Sequence, residues 1–192
     1  SAVQGGLSAQ LIKNRKFAGK PDVRGVALMW EAYGDHALYD HSNISFTRHA
    51  ANSRMSRQNE LHSQVICGLT EKGESGIKQG GIGIRGGIEH TFKAVVSSYH
   101  PENTPMVLRV KSKGKTIAER EFTVNTKTRT LWTRISLTFT SVENTVAEVS
   151  VGVKGRKMCV VGAVSLLPAD NFRGMRADVI EHLRAIGTSI VR

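Results

Sequence analysis

The sequence predicts a mainly β chain: an antiparallel sandwich, preceded by a short helix and followed by a helix that runs into a strand. Three observations carry this. Across residues 27–167 apolar residues recur with period two, the repeat that sends alternate side chains to opposite faces of a strand. Turn-forming clusters cut that stretch into short pieces, the punctuation of a two-sheet sandwich. After Pro168 the period changes to a helical one.

Taken in order, residues 7–15 read as a short, weakly amphipathic helix with Leu7, Gln10, Leu11 and Asn14 on one side. Residues 19–25, bounded by Gly19 and Gly25 and holding Pro21 and Asp22, read as a linker. Strands are expected at roughly 43–49, 61–68, 89–98, 106–112, 116–124, 131–139 and 147–153. In the last of these Ala147, Val149, Val151 and Val153 alternate strictly with other residues. Ser112-Lys113-Gly114, residues 101–105 and residues 142–144 supply turns. Each strand has one dry and one wet face, as stacked sheets require. After Pro168, Asp170 or Asn171 can cap a helix. Its stripe of Phe172, Met175, Val179, Leu183 and Ile186 has the spacing of a buried face. Gly187 suits the position after the helix end, and residues 188–191 begin a β-branched strand.

The chain carries a formal charge of +11. Residues 104–167 hold eleven Lys and Arg against four Glu, so the excess sits in predicted strands. Such a patch can attract nucleic acid, membrane or acidic polysaccharide, or simply form a solvated face, and the second is the favoured reading. No nucleic-acid motif accompanies it, and no apolar run reaches the roughly 18 residues of a membrane span. Cys67 and Cys159 lie in apolar strand-like runs and read as small buried hydrophobes; a disulfide would require their strands to be neighbours. The seven histidines lack transition-metal spacing. Asp35 and Asp40 do not by themselves make a structural Ca²⁺ site, and no other cofactor is implied. The glycines at 80, 81, 83, 86 and 87 precede no Lys-Ser/Thr, so they read as turn and bulge residues and not as a phosphate loop.

Three segments resemble known families. Gly5-Gly6-Leu7-Ser8-Ala9-Gln10-Leu11-Ile12-Lys13-Asn14-Arg15-Lys16-Phe17 is similar to a segment of family 51 glycoside hydrolases, the α-L-arabinofuranosidases, with Gln10 where the family has an acidic residue. The run from Val164 to Val179 resembles the segment before their second barrel strand. Between them, Gly76-Ile77-Lys78-Gln79-Gly80-Gly81-Ile82-Gly83-Ile84-Arg85-Gly86-Gly87 and the following Glu89-His90-Thr91-Phe92 resemble a motif of family 4 and 9 carbohydrate-binding modules.

The resemblance implies a galactose-binding-like jelly roll at residues 27–167. It implies elements of a (β/α)8 barrel at residues 1–26 and 168–192, as if the chain were cut from a larger enzyme. The implied function is a non-catalytic accessory domain of an enzyme acting on arabinan or arabinoxylan side chains. The alternative is a purely structural domain that packs on the catalytic barrel. The parent is expected to be secreted or periplasmic. Retaining glycosidases use two carboxylates about 5–5.5 Å apart, which the resemblance places on later barrel strands. The isolated chain is therefore expected to be inactive. Arg192 resembles an arginine of the parent's substrate subsite, and the flanking apolar stripes are expected to support self-association.

Sugar recognition needs flat aromatic faces and polar groups beside them. Trp30, Tyr33 and Tyr39, interleaved with Asp35, His36 and Asp40, are the candidates. The alternative is a loop that Trp30 anchors to the sandwich. Tyr99 and His100 could rim a cleft, and Trp132 is expected in the core.

Overall fold

A computed structural model of the chain describes residues 7–34, 37–42, 62–98, 103–125 and 132–187. The strands are β1 (Glu31–Tyr33), β2 (Ala37–Ser42), β3 (Ser63–Gly68), β4 (Glu74–Ile84), β5 (Glu89–Ser98), β6 (Thr104–Ser112), β7 (Lys115–Val124), β8 (Thr133–Thr140), β9 (Thr145–Lys154) and β10 (Met158–Pro168). One helix follows, α1 (Ala177–Ala185). One sheet has the order β1-β4-β9-β6-β7, the other β2-β3-β10-β5-β8. Among the described residues, every pairing between these strands is antiparallel. From β3 onward the chain changes sheet at each connection except the β6–β7 hairpin, which gives the jelly-roll weave.

Period two becomes the core directly. Ile77, Met106, Leu108, Val149 and Val151 of the first sheet meet Phe92, Val96, Val161 and Leu166 of the second, all essentially without exposure. The expected 112–114 turn closes β6–β7, with positive φ at Lys113 (49°) and Gly114 (76°), as the two-residue hairpin turn that matches strand twist demands. The register of β4 against β9 slips between Gln79 and Ile82, where Gly81 has φ 69°. The glycine run is thus a β-bulge. The expected strand at 43–49 lies outside the described residues, as do 188–191. Period two does not mark β1, β2, β4 or β10: the first two are short, the third is glycine-rich and the fourth is almost wholly apolar.

The expected N-terminal helix does not form. Residues 9–15 instead lend backbone groups to the chain around β10: Ala9 N–H donates to Gly174 O, Leu11 N–H to Leu166 O, and Val164 N–H to Arg15 O. Two buried glutamines hold this segment. Gln79 accepts from Lys13 N–H at 2.8 Å and donates to the carbonyls of Lys13 and Met29 at 3.0 Å each. Gln64 accepts from Ala27 N–H at 2.9 Å and donates to Gly25 O at 3.0 Å and Asp40 O at 3.1 Å. Ile12, Phe17 and Val26 enter the main core. Residues 19–25 contain an Asx turn in which Asp22 Oδ1 accepts from Arg24 and Val26 N–H. Through Ile12, Phe17, Val26 and Ala27 the segment shares its core with the sandwich.

The C-terminal helix forms later than expected. Phe172 and Met175 exchange two backbone bonds around Arg173 (φ 50°) and Gly174 (φ 86°). That hairpin turn delays the helix to Ala177, and Asn171 binds Pro168 O and Gly174 N–H instead of capping it. None of the residues of α1 is fully buried, and Phe172 and Ile186 are exposed, so the stripe expected to be buried lies at the periphery. Gly187 follows the helix end with φ 70°, as expected.

Cys67 and Cys159 do sit on neighbouring strands, but Cys67 pairs with Met158 and Cys159 with Ile66. One step of offset turns them to opposite faces, and both are free. Burial, with Cys67 nearby, pushes the Cys159 thiol up to about 12.

Candidate functional site

The three aromatic candidates lie at the β1–β2 end, each tied into the fold. Trp30 is 5% exposed; its ring packs on Phe17 with centroids 5.6 Å apart, and Nε1 donates to Asn14 O. Its face is not offered to a cleft. Tyr33, on β1, lies over Gly76 and Gly152, which face each other across β4 and β9. A Cβ at Gly152 would stand 2.2 Å from the Tyr33 hydroxyl oxygen, so the two glycines form the slot that the ring fills. That hydroxyl donates to Glu74 Oε1 at 2.5 Å. Tyr39 donates to the carbonyls of Tyr33 and Gly76 at 2.9 and 3.0 Å. Asp40 is exposed on β2. Asp35, His36, Tyr99, His100 and Arg192 lie outside the described residues. Trp132, expected in the core, is half-buried just before β8.

Glu74 extends the Tyr33 contact into a charged network on the outer face of the first sheet. It takes both terminal nitrogens of Arg109 at 2.7 Å, while Arg109 Nε pairs with Glu119. Burial, then the bond to Glu74, raises the Tyr33 pKa. Burial opposes ionisation of Glu74, but Arg109 and Tyr33 outweigh it and hold the carboxyl below its ordinary range. Two carboxylates thus meet one guanidinium, and Glu74 is kept ionised. It is a poor proton donor, so the arrangement does not supply the acid that glycoside cleavage requires.

The outer face of the second sheet is the broader candidate surface. Because Phe92, Ala94, Ile135, Leu137 and Leu166 point inward, their neighbours point out. Pairing aligns Leu167-Thr91-Thr138, Ser165-Lys93-Ser136 and Ala163-Val95-Arg134 as three rows across β10, β5 and β8. Lys93, Arg134 and Thr138 are exposed; Thr91, Ser136 and Ser165 are half-buried. This surface offers hydroxyls that both donate and accept, flanked by two cations that form no ion pair among the described residues. It can hydrogen-bond an extended polyhydroxylated chain, and it lacks an aromatic platform within the rows. Periodicity predicts β5 and β8, but neither β10 nor the alignment of the rows, which depends on strand order.

His41 stacks on His62 with centroids 4.3 Å apart. Among the described residues no group of His, Cys, Asp or Glu has the arrangement of a metal site, and no helix is long and apolar enough to cross a membrane.

No protein-family model and no curated protein sequence matches the chain. Solved structures do. TmCBM61, determined with β-1,4-galactotriose, is 18% identical over 83% of this chain and 98% of its own, with a TM-score of 0.54. The xylan-binding CBM22-1 domain of Paenibacillus barcinonensis Xyn10C is 11% identical over 86% of this chain and 97% of its own, TM-score 0.54. The CBM22-1–GH10 modules of Clostridium thermocellum xylanase 10B, complexed with xylohexaose, align over 83% of this chain and 28% of theirs at 14% identity, TM-score 0.55. At such identities the likeness is one of fold: the chain has the β-sandwich fold of carbohydrate-binding modules.

Proposed function

We propose that the chain is a non-catalytic carbohydrate-binding accessory domain of an α-L-arabinofuranosidase-like enzyme that acts on arabinose-containing plant polysaccharides. The observation that carries the reading is the fold. Nearly the full length of TmCBM61 and of the Xyn10C domain aligns with this sandwich, and those two proteins bind galactotriose and xylan. The resemblance of residues 5–17 and 164–179 to family 51 hydrolases supports the parent enzyme. The hydroxyl-lined rows on β5, β8 and β10 support an extended saccharide as ligand.

With no stacked ring in the rows, affinity rests on a few hydrogen bonds, each contributing about 1 kcal/mol net. Binding on the order of millimolar follows. A second reading is a structural domain that packs on the catalytic barrel. It is favoured by Trp30, Tyr33 and Tyr39, whose polar atoms are all engaged within the fold. Titration with arabinan and arabinoxylan oligosaccharides, followed by amide chemical shifts, separates the two. The binding reading expects saturable shifts. Silence at high ligand concentration would leave the structural reading.

A further inference from the structure

A pocket of about 440 Å³ opens at one end of the sandwich, where the inward-facing His90 adjoins the outward-facing Thr91 of the rows. This is the size of a small-molecule site. Gln10 of the N-terminal segment, Arg85 after β4, His90 on β5, Asp170 and Asn171 after β10, and Arg176 before α1 line it. Residues distant in sequence thus bring their polar groups to one cavity.

His90 is the informative member. It is 1% exposed, and its ring stacks on Phe139 with centroids 5.6 Å apart. Nδ1 lies 2.8 Å from Ile88 O. A carbonyl only accepts, so Nδ1 carries the proton and Nε2 of the neutral ring is an acceptor. Burial, then the nearby Arg85, lowers the pKa and keeps the ring neutral. Nε2 has no partner among the described residues, yet none of their buried side-chain nitrogens or oxygens is left unsatisfied. The nitrogen must therefore reach the pocket space.

Gln10 complements it. Its Oε1 accepts from Ile12 N–H at 3.1 Å and Leu166 N–H at 2.8 Å, which commits the oxygen and turns the amide nitrogen outward as a donor. Arg85 Nη2 pairs with Asp170 Oδ1 at 2.6 Å, and Arg176 pairs with Asp178. The guanidiniums and carboxylates cancel, so the pocket has no net charge. Ala9, Leu11 and Pro168 add apolar wall.

We propose that this end pocket binds a single neutral sugar residue, with His90 Nε2 accepting from one hydroxyl, Gln10 Nε2 donating to another and the Arg85–Asp170 pair engaging a vicinal diol. An anion would find its attraction to Arg85 and Arg176 offset by Asp170 and Asp178. An apolar ligand would strand the His90 and Gln10 groups. The inference rests on the carbohydrate reading but assigns a second site, distinct from the sheet face. The sugar residue is either a free monosaccharide or the end of a polysaccharide chain.

The test is a titration of the whole protein with L-arabinose, D-galactose and arabinotriose, read by imidazole ¹⁵N and amide shifts. The expected result is a saturable shift of His90 Nε2, with affinity reduced about tenfold in Arg85→Ala and in His90→Phe, which keeps the ring stack. Arg85 is exposed, so its variant should fold even if the histidine variant does not. Equal affinity for arabinose and arabinotriose identifies a free sugar as ligand; tighter arabinotriose identifies a chain end. Shifts confined to Lys93, Ser136 and their neighbours would overturn the pocket while leaving the carbohydrate reading standing. No shift anywhere would overturn both.

Discussion

Glu74 sits under the Tyr33 hydroxyl and against both terminal nitrogens of Arg109, so one carboxylate holds β1, β4 and β6 together. Its folded pKa is depressed, and the sign of the pH effect follows. The contribution is complete above the unfolded carboxyl range near 4.5 and is lost as pH falls through the folded value. Glu74→Gln should cost about 2–3 kcal/mol at pH 7, because it leaves Arg109 with Glu119 alone. It should also flatten the loss of stability on acidification below about pH 5. Urea unfolding of both proteins at several pH values measures this; parallel pH curves would contradict it. Little of this network was legible in sequence. Tyr33 was picked out as an aromatic beside acidic residues, but its partner stands 41 positions away. The available signal was Gly76 and Gly152 within strands, since a strand glycine often marks a close approach.

At the scale of elements, the sandwich strands were readable because a half-buried sheet imposes period two on its sequence. The N-terminal segment was not. Its pattern of Leu7, Gln10, Leu11 and Asn14 looks weakly helical, yet tertiary hydrogen bonds from Gln64 and Gln79 decide its path. Gln79→Ala removes one acceptor and leaves three backbone groups without their partner. It should destabilise the protein by about 2–4 kcal/mol. Removal of residues 177–187, by contrast, should cost about 1 kcal/mol or less, since α1 buries no residue. Thermal melts of the two variants compare them directly. A larger loss on removing α1 would contradict the peripheral placement of that helix.

For the whole molecule, strand count and turn spacing anticipate an antiparallel sandwich and the family resemblance implies the jelly roll, whereas strand order, and so the rows across β10, β5 and β8, is not legible. Sheet order depends on crossovers that leave no local mark. Glu74 and Glu119 share the single guanidinium of Arg109 and Glu74 is held ionised, so this pair supplies no general acid and the chain should not cleave aryl α-L-arabinofuranosides above background. Turnover abolished by a substitution within this chain would contradict that.

The most direct measurement of the account is calorimetric titration of the chain with arabinan and arabinoxylan oligosaccharides at millimolar concentration. Carbohydrate binding through this sandwich predicts saturable heat with a dissociation constant on the order of millimolar. The absence of heat and of chemical-shift change with every oligosaccharide at high concentration would contradict it.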